Sequence, residues 1–223
     1  MRISNVKKSF DKFSLHIENL EISEGKIYGI IGPNGCGKTT AMKLLAGVMM
    51  PDSGNIDYEG LVARDITMVM RKPYLLHDTV IRNLVYPLKL RNIKPDPELI
   101  EHYLEIAGLQ SYRDDYALTL SGGEQQKLSL IRALIFSPKL IFIDEAFSNM
   151  DIESVAFFEN YILDMQKKEP KTWVIISHQL SNIKRLCEHV FFMSNGEISA
   201  SGPTDELLSS PENTDLKQYL QYS

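Results

Sequence analysis

The apolar positions change period twice along the chain. Near the start Leu15 and Ile17 alternate with polar neighbours, and Leu20 and Ile22 carry the series to a turn at Glu24-Gly25. That spacing predicts a strand buried on one face. Ile27 to Ile31 is a continuous apolar run that ends in glycine, which predicts a short strand buried on both faces. Thr39 to Val48 reads as a helix with Met42, Leu44, Leu45 and Val48 on its apolar side. Pro51-Asp52-Ser53-Gly54 has turn chemistry, and Ile66 to Met70 predicts another strand. From about Pro73 to Ser137 helical spacing takes over. Leu84, Leu88 and Leu90 predict one helix, and Leu99, Ile100, Tyr103, Leu104 and Ala107 a second that Gly108 stops.

The final third returns to apolar strands at Leu140 to Ile143, Trp173 to Ile176 and Val190 to Met193. Helical patterns at about 152–166 and 180–186 separate them, and Asn195-Gly196 marks a turn between two strands. Strand-helix-strand order predicts parallel pairing with right-handed crossovers. The expectation is therefore an α/β fold with a mainly helical insertion, in one domain spanning 1–223. Its core covers 1–71 and 138–223, and its helical subdomain about 72–137.

Composition narrows the class. Of 223 residues, 43% are hydrophobic and 24% charged, which excludes a disordered chain. The longest stretch without Asp, Glu, Lys or Arg is Thr172 to Ile183, and it contains several polar residues. A membrane span needs about twenty apolar ones, so none is expected. Met1-Arg2-Ile3-Ser4-Asn5 lacks the start of a secretory signal. The two cysteines, Cys36 and Cys187, make neither a disulfide framework nor a zinc site, and point to a reducing cytosol. A net charge of −5 argues against sequence-independent nucleic-acid binding.

Three segments carry chemistry. Gly32-Pro33-Asn34-Gly35-Cys36-Gly37-Lys38-Thr39 fits the phosphate-loop pattern G-x-x-x-x-G-K-[ST], with a strand before it and a helix, which includes Thr40, after it. Its glycines let backbone N–H groups turn around phosphate oxygens, and the helix N-terminus adds positive potential. Lys38 would bridge the β- and γ-phosphates, and Thr39 would offer its hydroxyl to Mg²⁺. If Cys36 lies against the phosphates, ATP should protect it from alkylation. Leu140 to Ile143 leads into Asp144-Glu145, two carboxylates where ligands of open α/β sheets sit. Asp144 suits a metal's water shell, and Glu145 suits the polarisation of an attacking water. In Leu120-Ser121-Gly122-Gly123-Glu124-Gln125-Gln126-Lys127, Ser121 and Glu124 form a capping box, predicting a helix from Glu124 to Phe136. Two successive glycines add nothing to a cap but suit close approach of an anion.

That last run, downstream of a phosphate loop and 23 residues before the Asp144 strand end, resembles the signature of ATP-binding cassette ATPases. The resemblance covers essentially the whole chain. It implies a phosphate-loop NTPase core with a mainly parallel sheet, an antiparallel N-terminal β subdomain and the inserted helical subdomain. It also implies two such subunits closed head to tail over two ATP molecules, with Ser121, Gly122 and Gly123, followed by Glu124, at the γ-phosphate held by the partner. Phe10 resembles the aromatic that stacks on adenine, with Phe13 as its alternative. Glu145 matches the family's catalytic carboxylate, and His178 the histidine that holds the γ-phosphate and water. Ser148-Asn149-Met150-Asp151 resembles the D-loop and keeps Asp151.

One position departs. Where the family places a glutamine that meets Mg²⁺, this chain has Arg71. An arginine only donates and cannot coordinate a cation, so the expectation is a hinge or phosphate-sensing role without metal contact.

The function implied is ATP hydrolysis with Mg²⁺, powering solute transport by separate integral membrane permease subunits, as an importer more than an exporter. Implied partners are a homodimer or heterodimer of nucleotide-binding subunits, the permease, docked near Arg71 to Asp78, and a solute-binding protein, with no nucleic acid. The implied location is cytoplasmic, peripheral on the inner face of the cell membrane. Lys72 to Leu90 loosely resembles subunits serving small anions such as tungstate or phosphate, or amino acids. The alternative is a cassette ATPase acting on nucleic acid or ribosomes. Such proteins carry a long coiled-coil insert, zinc cysteines or two fused cassettes, and none is present. A GTPase would want an Asn/Thr-Lys-x-Asp loop, and there is no match.

Overall fold

Residues 1–222 are described by a computed structural model of the chain. A single nine-stranded sheet organises them, and its central strands are the runs whose residues are apolar on both faces. β3 (Ile27–Ile31) lies between β8 (His189–Ser194) and β7 (Thr172–Ile176), and β6 (Leu140–Asp144) and β5 (Ile66–Val69) continue outward, all parallel. On the other side β9 (Glu197–Pro203) pairs antiparallel with β8 across the Asn195-Gly196 turn. β2 (Phe13–Glu21), β1 (Arg2–Phe10) and β4 (Ser53–Asp57) complete that edge as antiparallel neighbours. The expected N-terminal β region is thus continuous with the core sheet, joined by the parallel pair His16↔Glu197 between β2 and β9.

Alternate residues of the central strands feed two cores. Leu140 and Phe142 of β6 face α1 (Lys38–Leu45), packing with Met42, Leu44 and Leu45. Ile141 and Ile143 face the opposite layer, which holds α5 (Ile152–Lys168), α6 (Leu180–Leu186) and the fully buried Trp173. Each such side chain contributes roughly 1.5–3 kcal/mol by leaving water. Two short C-terminal helices, α7 (Thr204–Ser209) and α8 (Thr214–Gln221), add Leu208 and Leu216 to this layer.

Between β5 and β6 the chain forms α2 (Val80–Leu90), α3 (Pro97–Ala107) and α4 (Gly122–Leu134). Thr79 and Asp96 cap α2 and α3, and Gly108 ends α3 in the left-handed conformation. Leu84 and Leu88 are buried as expected, whereas Leu90 is exposed past the last packed turn.

Three local expectations are corrected. Ser53-Gly54 belongs to β4 and not to a turn; at φ +92° a Cβ on Gly54 would fall 2.2 Å from the Asn5 carbonyl oxygen, so only glycine admits β1 that closely. α1 stops at Leu45 because Gly47 turns left-handed, and Val48 is left exposed. α4 begins at Gly122 and ends at Leu134, not at Glu124 and Phe136, because Ser121 is its N-cap. Among the described residues no helix is long and apolar enough to cross a membrane.

Candidate active site

β3 delivers the chain into residues 32–37, which wrap round to the first turn of α1. The wrap requires glycine twice. At Gly32 (φ +147°) a Cβ would fall 2.1 Å from the Met193 carbonyl oxygen, and at Gly37 (φ +107°) 2.6 Å from the Phe13 ring. Lys38 closes the loop by donating from Nζ to the carbonyl oxygens of Gly32 at 2.7 Å and Pro33 at 2.9 Å. Burial pushes its ammonium below the usual lysine range. A cleft of about 300 Å³ opens over this loop, lined by Asn34, Gly35, Gly37, Lys38, Thr39 and Thr40, with Phe13, Arg71 and Glu145 as its walls. Backbone amides, a helix N-terminus and a lysine in one concavity form an anion cradle.

β6 brings its terminal carboxylates to the same place. Asp144 Oδ2 accepts a 2.9 Å hydrogen bond from Thr39 Oγ1, while Asp144 Oδ1 is buried without a hydrogen-bond partner. Burial raises the Asp144 carboxyl above its ordinary range, against the lowering effect of the Thr39 bond. A buried, orphaned carboxylate oxygen beside a hydroxyl and a phosphate cradle fits Mg²⁺, which takes one or two protein oxygens and leaves room for phosphate.

Glu145 follows in the left-handed conformation, φ +50°, which costs a non-glycine residue roughly 1–2 kcal/mol. Hydrogen bonds hold it there: its N–H donates to the Ile176 carbonyl at 3.0 Å, and its carbonyl accepts from Ser148 Oγ at 2.9 Å. The carboxylate is buried between two basic groups. His178 Nε2 stands 2.6 Å from Oε1, and Arg71 Nη1 stands 3.2 Å from Oε2. The Arg71 contact is an ion pair without hydrogen-bond alignment, since Oε2 has no hydrogen-bond donor. Such a carboxylate at the mouth of a phosphate cradle can accept a proton from a water poised against phosphorus.

Phe13 supplies the aromatic wall. Phe10, at the end of β1, is 45% exposed and lies behind it, with ring centroids 6.3 Å apart. Pro33 lines a different cavity, beside α8. Cys36 points away from the cleft into the α1-side core. Its thiol is buried, and burial raises it further, so thiolate is scarce at neutral pH. ATP protection is therefore not the expected behaviour of Cys36. We expect slow alkylation of the folded chain at neutral pH with or without ATP, faster as pH rises and fastest in denaturant; thiol labelling followed by mass spectrometry checks this.

The structure does not bring Ser121, Gly122 or Gly123 into this cleft. Ser121 caps α4 reciprocally with Glu124: its Oγ accepts from the Glu124 N–H at 3.3 Å, and Glu124 Oε2 accepts from the Ser121 N–H at 2.8 Å. Asp151 caps α5, accepting from the Ser154 N–H at 2.8 Å, and lies 3.8 Å from Lys127 Nζ of α4. Two features have no counterpart in the sequence analysis. One is the Arg71–Glu145 pair. The other is Gln126, fully buried in α4, whose Nε2 donates to the Met70 carbonyl at 3.2 Å. The signal for Gln126 lies in its spacing, four and eight residues before the buried Leu130 and Leu134.

With this geometry in place, similarity to known proteins is informative. A family model described as ABC transporter matches residues 15–148. The tungstate uptake system ATP-binding protein of Peptoclostridium acidaminophilum is 37% identical over 203 residues, covering 88% of this chain and 95% of that protein. A probable sulfate/thiosulfate import ATP-binding protein of Chlorella vulgaris is 32% identical over 229 residues, covering 98% of this chain and 97% of that one. In fold the chain is similar to a bacterial ABC transporter cassette solved as a dimer, with a TM-score of 0.80 at 23% identity over 91% of this chain and 98% of that one. The chain belongs to the ABC transporter family.

Proposed function

We propose that the chain hydrolyses ATP to ADP and phosphate as the nucleotide-binding subunit of a membrane importer. The observation that carries this is the convergence in one cleft of the phosphate loop, the Thr39–Asp144 pair and Glu145. Phe13 would hold the base, the loop amides and Lys38 the phosphates, and Glu145 would take the proton of the attacking water while His178 orients its carboxylate. Mg²⁺, held by Thr39 and Asp144 together with phosphate oxygens, would supply charge neutralisation at the phosphates.

The placement of Ser121, Gly122 and Gly123 outside the cleft supports a site completed in trans, by the signature of a second subunit. Hydrolysis then removes the phosphate that favours the closed pair, so the reaction drives opening. Membrane permease partners and a place on the cytoplasmic face of the membrane follow from the importer role. The two relatives described above are named for the oxyanions tungstate and sulfate or thiosulfate, which supports an oxyanion cargo, while others are named for spermidine/putrescine, Fe³⁺ and methionine. The test is phosphate release by the purified chain together with identification of what co-purifies in detergent. We expect Mg²⁺-dependent release whose rate per chain falls on dilution, and co-purifying proteins with membrane spans. Release constant per chain at every dilution, or ribosomal and nucleic-acid partners alone, would overturn the proposal.

A further inference from the structure

We infer that Arg71 is a positioning residue for Glu145: its guanidinium pairs with the carboxylate and passes to the terminal phosphate when ATP is bound, leaving Glu145 to the attacking water. This rests on the function proposed above.

Three observations carry it. First, Glu145 Oε2 is buried without a hydrogen-bond donor and Arg71 is the ionic group beside it at 3.2 Å; Lys38 adds its charge from the loop, and His178 serves the other oxygen. With Arg71 beside one oxygen and His178 on the other, less of the carboxylate is open to a water than when the guanidinium has moved away. Second, the Arg71 side chain is 65% exposed and Glu145 is its ionic partner. A guanidinium cannot shed its charge, and its five donors match a phosphate at least as well as a carboxylate. It can change partner at little cost in desolvation. Third, Arg71 and Glu145 wall the cleft over which the phosphate loop runs, and Phe13 walls it at Gly37. On the inference, a nucleotide with its base on Phe13 and its phosphates along the loop would present its last phosphate to Arg71, and a diphosphate would end short of that contact.

The same move thus does two things. It adds a cation to the terminal phosphate and frees the oxygen that must accept a proton. A glutamine at this position could do neither by charge.

The test compares wild type with Arg71→Met and Arg71→Lys, using calorimetry with ADP and with a non-hydrolysable ATP analogue, and steady-state ATP hydrolysis. In Arg71→Met we expect analogue affinity to fall about tenfold, the scale of a charge-assisted hydrogen bond. ADP affinity should stay within about twofold, KM for ATP should rise with the analogue's Kd, and kcat should fall as well, because a cation on the terminal phosphate also meets the charge that develops there. Arg71→Lys should recover most of the preference for triphosphate. Equal weakening of ADP and analogue, no change in either, or failure of Arg71→Lys to restore the preference for triphosphate would overturn the inference. A wild-type chain that binds neither nucleotide would instead overturn the proposed function.

Discussion

Glu145→Gln is expected to lower ATP turnover by about 10²–10⁴-fold, the contribution of a positioned general base, while ATP binding is kept. The change is isosteric, so the left-handed turn held by Ile176 and Ser148 is untouched. An amide can still meet His178, but it takes no proton from water. The phosphate loop, Thr39 and Asp144 are unaltered, and one negative charge leaves the mouth of the cleft, so a triphosphate is held at least as well. Without turnover the closed pair is not dismantled. Phosphate release, equilibrium dialysis and size-exclusion chromatography with ATP should therefore show loss of product, retained binding and accumulation of dimer. Turnover at the wild-type rate would remove Glu145 from the chemistry.

The second large effect is expected at a residue that does not touch its own cleft. Ser121→Arg should cut hydrolysis by at least about 10²-fold, the scale of losing a donor built to meet developing charge, without weakening ATP binding by the isolated chain. Two contributions must be separated. Losing the cap of α4 costs about 0.5–2 kcal/mol of stability, and the thermal unfolding of the isolated Ser121→Ala chain measures that. The arginine additionally places bulk beside Gly122, where the backbone is open. Mixing settles where the damage lies. Ser121→Arg keeps a good phosphate loop and Lys38→Ala keeps a good signature, so a mixed pair regains one intact site. Activity should reappear on combining two inactive proteins. Continued silence of the mixture, with dimers present, would argue that each subunit works alone.

What was legible in the sequence follows from how local its cause is. The phosphate loop and the Asp144-Glu145 strand end can be read because the chain itself delivers them: β3 runs straight into the loop, and β6 ends on the carboxylates. Buried strands such as Leu140–Asp144 and Thr172–Ile176 announce themselves by apolar runs. The edge strand Ser53–Asp57, with its sequence Ser-Gly-Asn-Ile-Asp, carries turn residues, and only its pairing with β1 makes it a strand. β9, Glu197–Pro203, has only Ile198 and Ala200 as apolar side chains before Pro203 and takes its place from β8. In the site the same division holds. Phe10 and Phe13 stand on opposite sides of one hairpin turn, and spacing cannot tell which ring reaches Gly37. Arg71 is visible as a departure, but its meeting with Glu145 depends on the parallel pairing of β5 and β6, which sets the two strand ends side by side.

The bond from Gln126 to the Met70 carbonyl has a mechanical consequence. It ties the backbone next to the guanidinium to the shaft that carries the signature, so neither travels alone. A tilt of that shaft towards a companion subunit tugs the arginine's stem, and a stalled arginine restrains the shaft. On the function proposed above, the arrangement would serve as an interlock, with fuel spent only once the assembly has moved into register.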